Sequence, residues 1–514
     1  MDRSTEGHPA RPGPGWGLIA ALVAWAAAWA LAVRLLIPGS PWMLTYTSDA
    51  AIPVLMARAQ AVDLFHAYYW GQDRFGAWPF LAARALGGTA WTAEGLQVVL
   101  LGVVWTAALA LAWLVRREGL RGGALIVLPL VLALHPEVRP FVLEFSQPYG
   151  WQFAALLCAW AALRPLAEAR TGRAALGWGT VAWVPTLLAV WASAASTPML
   201  ASLTALEALR ARARGQGLTG WRRLVLVLPL ALAMLFERQM RRLYHRFAEH
   251  HFDHSFRTRL ELDRGHLLEN AWQLTGRMLE GPLPLLAALA LLVAVLGVAG
   301  WRARSEVARV PELLWVAAGC GLAACAQLPV LVGISHVRLN DFEPRYLSLV
   351  HLFAVLGLAL LLLAAIERWC APAVRRWGAL GVAVSLVGAA LLRPAPPAPE
   401  VVFVQARSAA HALVAVAPGA FLVGDYWDVY ALASLPPPEV APRPVAEEGD
   451  YQRTPFLVPA LRAASEWVWV QPEPEGPAEP PATRRREHQV EWQRDAEPLL
   501  RVPGFSFWRY RSAP

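Results

Sequence analysis

Apolar residues in this chain come in runs of about 15 to 22, separated by short connections that carry Arg. As a helix, such a run crosses a hydrocarbon core of roughly 30 Å. The pattern predicts about eleven spans, at 16–37, 95–115, 122–136, 149–164, 175–193, 197–209, 221–237, 282–301, 311–333, 345–366 and 376–392. Residues 1–15 precede them as a polar tail, and 16–393 form the transmembrane domain. From residue 398 the texture changes: VVFVQ, FLVGDYW and WVWVQ read as short strands, ARSAAHALVAVA and PFLVPALRAASEW as helices. That alternation predicts a small α/β domain over 398–514. The expected fold class is therefore a polytopic α-helical membrane protein with a small C-terminal α/β domain.

Only 16% of the residues are charged and 56% are hydrophobic, against about 25% charged in soluble domains. With a mean hydropathy of +0.38, a soluble multidomain enzyme is excluded. The net charge of +8 rests on 46 basic residues, all of them Arg. They punctuate the ends of the apolar runs instead of gathering on one soluble domain, which argues against a nucleic-acid partner. Cys158, Cys320, Cys325 and Cys370 sit in or beside the runs, and the tail has none, so neither a disulfide framework nor a thiolate zinc site is indicated. The first run exceeds a signal-peptide core in length and lacks a clean cleavage site, so it reads as a retained helix.

With a cytoplasmic N-terminus, the loops RREGLRGG, RPLAEARTGR, RARARGQGLTGWRR, WRARSEVAR and ERWCAPAVRRW all fall inside, and each is rich in Arg. An odd number of spans then puts the C-terminal domain outside, in the periplasm of a bacterium whose inner membrane holds the chain. The long first outer loop is 38–94, and a basic outer loop occupies 238–281. The second runs against the positive-inside rule: either the topology differs there, or its basic residues meet an anion at the outer face. Its His250 and His254 are one helical turn apart but lack an H-E-x-x-H frame, and a headgroup-facing amphipathic helix is the better account.

The first outer loop is the most informative segment. Asp49 stands just beyond the first span, where a carboxylate can take a proton from a hydroxyl, help bind a cation, or merely cap the helix that follows. Further along, FHAYYWGQDRFGAWPF mixes aromatics with Gln72, Asp73 and Arg74. Tyr69 and Trp70 could be part of an interfacial aromatic belt, or could join Gln72 and Asp73 in binding a sugar or acceptor, since sugar sites combine aromatic faces with hydrogen-bonding side chains.

Ser48, Asp49 and Ala50, with Leu55, Met56, Ala57 and Arg58, and the segment Tyr69, Trp70, Gly71, Gln72, resemble the GT-C superfamily of integral-membrane glycosyltransferases. The similarity is to the bacterial group related to protein mannosyltransferases and lipid A aminoarabinose transferases. EPRYLSLVHLF, Glu343 to Phe353, and VGDYWDVYAL, Val423 to Leu432, agree with it. The resemblance implies an inverting transferase that takes a sugar from a polyprenyl phosphate donor at the outer membrane face. It passes the sugar to a lipid, glycan or protein acceptor of the cell envelope. Asp49 would be the general base, and Glu137 or Glu144 a second acidic residue. No cofactor is certain; a divalent cation is conceivable, and its ligands are unknown.

Such a reaction needs a stabilised leaving phosphate, and Arg345 is suited to it, with His336 and Arg338 in the same short loop. The plain alternative is an Arg that anchors a helix end. Asp425, Tyr426, Trp427 and Tyr430 of the tail could bind an acceptor glycan, but Tyr426 and Trp427 read better as core aromatics of a folded lid, and no catalytic residue is expected from the tail. A polysaccharide or lipid transporter or flippase, or a non-catalytic GT-C-like scaffold, are the rival readings. A transporter would place ionisable residues within its spans, which here look almost purely aliphatic. Reporter fusions after residues 170 and 400 are expected to report opposite sides of the membrane, and agreement between the two would overturn the orientation.

Overall fold

A computed structural model describes residues 46–59, 63–70, 75–116, 144–216, 220–247, 263–279, 283–284, 286–290, 312–369, 401–447, 453–473, 480, 482–486 and 490–512. The expected spans at 16–37, 122–136 and 376–392, most of the one at 282–301, Glu137, Gln72, Asp73 and Cys370 lie outside these residues.

Two short helices open the described chain, α1 (Ser48–Arg58) and α2 (Trp78–Leu86). The bundle follows: α3 (Ala93–Arg116), α4 (Pro148–Glu168), α5 (Gly172–Ala192), α6 (Ser196–Ala213), α7 (Gly220–Phe247), α8 (Arg264–Leu279), α9 (Glu312–Gly333), the short α10 (Ser335–Leu339) and α11 (Ser348–Trp369). Helix α4 packs on α3, α5 and α6, α5 also packs on α7, and α9 joins α6 to α11. Local sequence sets their ends. Pro148 opens α4, where its missing N–H costs nothing, and the Thr171 hydroxyl accepts the Ala174 N–H at 3.2 Å as the cap of α5. Among the described residues four segments are long and apolar enough to cross a membrane: Ala93–Leu111, Gly172–Ala192, Leu314–Gly333 and Pro344–Leu361. Leu176, Val181 and Val184 point outward from α5, as residues facing lipid do.

The expected loop 238–281 is helical over much of its length. Helix α7 continues through Phe247 and, at 28 residues, is roughly 42 Å long, more than a bilayer core requires. The continuous apolar run ends at Phe236, but helix-favouring Glu, Arg, Gln, Met and Leu carry the backbone on. Helix α8 forms within the same segment and seats Asn270, Leu274 and Met278 against the bundle, with the Asn270 amide donating to the Val332 carbonyl at 2.9 Å.

Opposite that end, α4 and α6 bury a set of charges. Glu207 and Arg164 are fully buried and 3.2 Å apart, and Arg210 Nε lies 2.6 Å from the other Glu207 oxygen. Trp160 Nε1 also donates to Glu207 at 2.8 Å, and Arg210 reaches Glu168 at 2.8 Å. The spans are therefore not purely aliphatic, as their pattern suggested. Arg164, Glu168 and Arg210 stand at the ends of apolar runs, where they read as loop residues, while Glu207 lies inside the expected span 197–209; all four turn toward one another and compensate.

The C-terminal domain runs α12 (Val401–Val416), β1 (Phe421–Gly424), α13 (Tyr426–Ser434), β2 (Arg443–Ala446), α14 (Val458–Ala463), β3 (Glu466–Pro472), β4 (Thr483–Arg486), β5 (Val490–Arg494), β6 (Leu500–Val502) and β7 (Phe505–Ser512). The strands form one mixed sheet in the order β2-β1-β3-β7-β5-β4, with β6 on β7. Strands β1, β2 and β3 are parallel and the rest antiparallel. Alternation along each strand splits the core: Leu422, Val468, Val470 and Phe507 face the helices, while Phe421, Val423, Trp467, Trp469 and Tyr510 form a second cluster. There Trp467 stacks on its cross-strand partner Tyr510 at 4.3 Å. VVFVQ is the first part of α12 and not a strand. Phe403, Ala406, Ala410 and Leu413 are buried at helical spacing, which prevails over the local β-branched run.

Glu207→Ala would leave two guanidiniums in an apolar setting with one carboxylate fewer, a loss of about 3–5 kcal/mol. We expect a clearly lower melting temperature in detergent, largely recovered when Glu207→Leu is combined with Arg164→Met.

Candidate active site

Helix α1 carries Asp49 and is buried nearly all round, from Ser48 to Ala57 with Asp49 itself exposed. Such burial suits its composition, SDAAIPVLMAR, which has one charge at each end. Its last turn is sealed by Arg84, which donates to the Met56 carbonyl at 3.1 Å, and Arg58 donates to the Trp91 carbonyl at 2.9 Å. The cap position is Thr47, in extended conformation, and no side chain caps the helix. Asp49 thus does not act as its cap. Asp49 Oδ1 accepts the Tyr426 hydroxyl at 2.7 Å, and the Tyr69 hydroxyl donates to the Asp49 carbonyl at 3.2 Å.

Glu144 precedes α4 and accepts the Ser146 hydroxyl at 2.5 Å. Burial pushes its carboxyl up; the Ser146 hydroxyl draws it down, the charge of Asp49 adds to the rise, and Arg345 opposes it. Asp49, Glu144 and Arg345 are therefore within electrostatic reach at one end of the bundle. Arg345 lies in a 3-10 turn, Pro344–Leu347, just before α11. Its Nε is 2.7 Å from a Glu343 oxygen, a terminal nitrogen donates to Asn340 Oδ1 at 3.3 Å, and the guanidinium sits 5.1 Å from the Tyr346 ring centre. The preceding loop is tightly turned: Asp341 and Phe342 have φ of +47° and +51°, a left-handed pair that side chains disfavour. Burial of the Phe342 ring offsets the strain. His336 and the half-buried Arg338 are on α10, where the His336 ring meets Tyr346 edge-on and its carbonyl accepts the Asn340 amide at 2.6 Å. The three proposed phosphate-binding side chains thus share one short stretch.

Tyr69 and Trp70 are 6% and 3% exposed, so neither offers an open ring face to a sugar. Tyr69 stacks on Phe75, and Trp70 meets His66 and Phe456 edge-on. The loop is clamped to the end of α5: Gly76 N–H donates to the Trp191 carbonyl at 2.8 Å, and Trp191 Nε1 donates to the Ala67 carbonyl at 3.1 Å. Any side chain at Gly76 would run into Trp191, which explains a glycine there. His66 Nδ1 lies 2.7 Å from Asp63, a pair the sequence did not advertise.

A cavity of about 510 Å³ lies along the end of α7, lined by Ala194, Glu237, Arg238, Arg241, Arg242, His245 and Arg246. Glu237 pairs with Arg241 at 2.6 Å, leaving an excess of positive charge. The Tyr68 hydroxyl donates to the Glu237 carbonyl at 3.5 Å, so this cavity opens at the same end of the bundle as α1. Among the described residues no three His, Cys, Asp or Glu side chains are grouped to hold a metal.

Sequence reasoning expected no catalytic residue from the C-terminal domain and read Tyr426 as a core aromatic, yet α13 packs on α1 and brings the Tyr426 hydroxyl to Asp49. The signal available was the DYW segment itself. Asp425 caps α13 by accepting the Trp427 N–H at 2.8 Å, and the Tyr46 and Ser434 hydroxyls, 2.6 Å apart, tie the far end of α13 to the bundle.

No protein-family model matches the chain, and no curated protein matches it in sequence. Its fold is similar to that of ArnT from Cupriavidus metallidurans bound to undecaprenyl phosphate, with a TM-score of 0.51 at 13% identity over 97% of this chain and 98% of that one. The apo state of that ArnT gives 0.46 at 14% identity over 88% and 93%. The Archaeoglobus fulgidus oligosaccharyltransferase in complex with Zn and sulfate gives 0.41 at 14% identity over 87% and 67%. At 13% identity the first likeness concerns the fold alone.

One buried acid of α13 titrates in an accessible range. Burial, reinforced by the charge of Asp425, pushes the Asp428 carboxyl up to about 6. A raised carboxyl pKa contributes stability at low pH that is lost as pH rises through about 6. Asp428→Asn should therefore gain stability relative to the unsubstituted protein between pH 5 and pH 8, by about 1.4 kcal/mol, read as a rise in relative melting temperature. A pH-independent difference would overturn this.

Proposed function

We propose that the protein is an inverting membrane glycosyltransferase that moves a sugar from a polyprenyl phosphate donor to an acceptor of the bacterial cell envelope. The observation that carries this reading is the gathering of Asp49, Glu144 and Arg345 at one end of a bundle with the GT-C fold. Asp49 is the general base for the acceptor hydroxyl. The acceptor oxygen bonds to the anomeric carbon, whose bond to the phosphate oxygen breaks from the opposite face, and the electron pair leaves with the phosphate. Arg345, with His336 and Arg338 beside it, stabilises that charge. Glu144, biased by burial toward its neutral form, can donate a hydrogen bond beside Asp49.

A donor phosphate has to compete with Glu343 for the Arg345 guanidinium; the donor diester carries one negative charge, and the second charge that develops as the sugar leaves strengthens its hold on Arg345. The ArnT structure was solved with undecaprenyl phosphate bound, which supports a donor of that class. The cationic cavity on α7 gives an anionic lipid a second point of contact. Tyr69 and Trp70 support the loop by packing, and the site faces the periplasm.

The test is sugar transfer from undecaprenyl-phosphate-linked sugars in reconstituted membranes. Asp49→Asn keeps size and hydrogen bonding but cannot take the proton, so turnover should fall by about 100-fold or more with melting unchanged. Arg345→Ala should weaken donor binding by about 1.5 to 3 kcal/mol, and Arg345→Lys should restore part of it. Normal turnover in the Asn variant would rule out Asp49 as base and favour a non-catalytic scaffold.

A further inference from the structure

Asp49 belongs to the bundle, but the group that holds its carboxylate comes from the far end of the chain. The Tyr426 hydroxyl donates to Asp49 Oδ1 at 2.7 Å, across 377 positions of sequence. Ser48 Oγ donates to the Tyr426 carbonyl, so side chain and backbone of Tyr426 are tied to consecutive residues of α1. Behind the hydroxyl is Arg453, itself 5% exposed. Its side chain hydrogen-bonds to the Tyr426 hydroxyl, and its guanidinium lies 5.6 Å from the centre of that ring. Arg453 is fixed in turn through its backbone N–H, which donates to the Tyr430 hydroxyl at 2.6 Å.

Guanidinium, phenol and carboxylate are thus linked in succession through the Tyr426 hydroxyl. A phenol oxygen that accepts a bond from a cation becomes a stronger donor through its own O–H. Burial, with the charge of Asp49 adding to it, pushes the Tyr426 hydroxyl above the usual phenol range. The hydroxyl accordingly keeps its proton and stays the donor.

We propose that Tyr426, backed by Arg453, is a positioning residue that holds the Asp49 carboxylate in one orientation by occupying Oδ1 and leaving Oδ2 for the acceptor hydroxyl. This rests on Asp49 being the base of the reaction proposed above. In that reaction the acceptor proton passes to Oδ2, and Tyr426 keeps its own proton throughout. An exposed carboxylate with no such tie samples several rotamers, and a misplacement of about 1 Å can cost on the order of 100-fold in rate. The C-terminal domain thereby becomes part of the site without touching substrate.

The test uses the full-length protein in detergent and in reconstituted membranes, with melting and initial rates measured on each variant. The donors are undecaprenyl-phosphate-linked sugars. Tyr426→Phe should lower kcat by about ten- to 100-fold while the donor KM stays within about two-fold. Arg453→Gln should lower kcat by less. Ser434→Ala removes the Tyr46 contact that ties the same two parts of the protein, and it should lower melting while leaving kcat unchanged. In melting, Asp49→Ala and Tyr426→Phe should couple, so that the double variant loses no more than the larger single loss.

Normal kcat in Tyr426→Phe would overturn the proposal, as would additive melting losses. Equal kcat losses in Tyr426→Phe and Ser434→Ala would reduce the bond to a structural tie. Coupled melting with no transfer by the unsubstituted protein would instead sink the glycosyltransferase reading, and the positioning role with it.

Discussion

Helix Ser48–Arg58 has to be enclosed, and much of the architecture answers that requirement. Its side chains are apolar almost all round, so no single neighbouring surface can cover it. The aromatic loop and helix 78–86 cover part, helix 93–116 another, and helix 426–434 of the C-terminal domain the rest. Docking of the C-terminal domain is therefore an extension of the hydrophobic core. The one polar group left at the start of this helix, Asp49, is placed by the burial of its neighbours, at the seam where bundle and tail meet.

The two ends of the bundle treat charge in opposite ways. Near Glu207, guanidiniums and carboxylates are buried together and satisfy one another within helices 148–168 and 196–213. Charges compensated in this way fix packing and have nothing to offer a ligand. At the other end, Arg345 is held by a single half-exposed carboxylate, Glu343, and the helix 220–247 cluster carries far more Arg than Glu. An anion is absent from the first arrangement's needs and favoured by the second.

Much of this was legible along the chain, and the gaps have physical causes. Long apolar runs gave the helices at 93–116, 148–168, 172–192, 196–213, 312–333 and 348–369 and the first part of 220–247, and the change of texture after 398 gave strands 421–424 and 466–472, because both signals are local and periodic. Asp49 and Arg345 could be nominated because each stands at a span end, and Glu144 because the resemblance implies a second acidic residue. Pairing between distant residues leaves no such trace. Nothing near Arg164 announces Glu207, and Tyr426 looks like any core aromatic until its hydroxyl is seen on Asp49. The aromatic loop misled in a related way: Tyr69 and Trp70 have the composition of a sugar platform, but their rings are spent on packing.

The separation of 377 positions between Asp49 and Tyr426 also has a meaning in time. At a synthesis rate of roughly 5 to 20 residues per second, the hydroxyl that meets the carboxylate emerges about 20 to 75 s after it. Until then the first loop and most of the bundle exist with the carboxylate unheld. A nascent chain, or one whose last hundred residues have been clipped, carries Asp49 without its hydrogen-bonding partner. The order of biosynthesis thus makes the completed C-terminal domain the last component of the site to arrive.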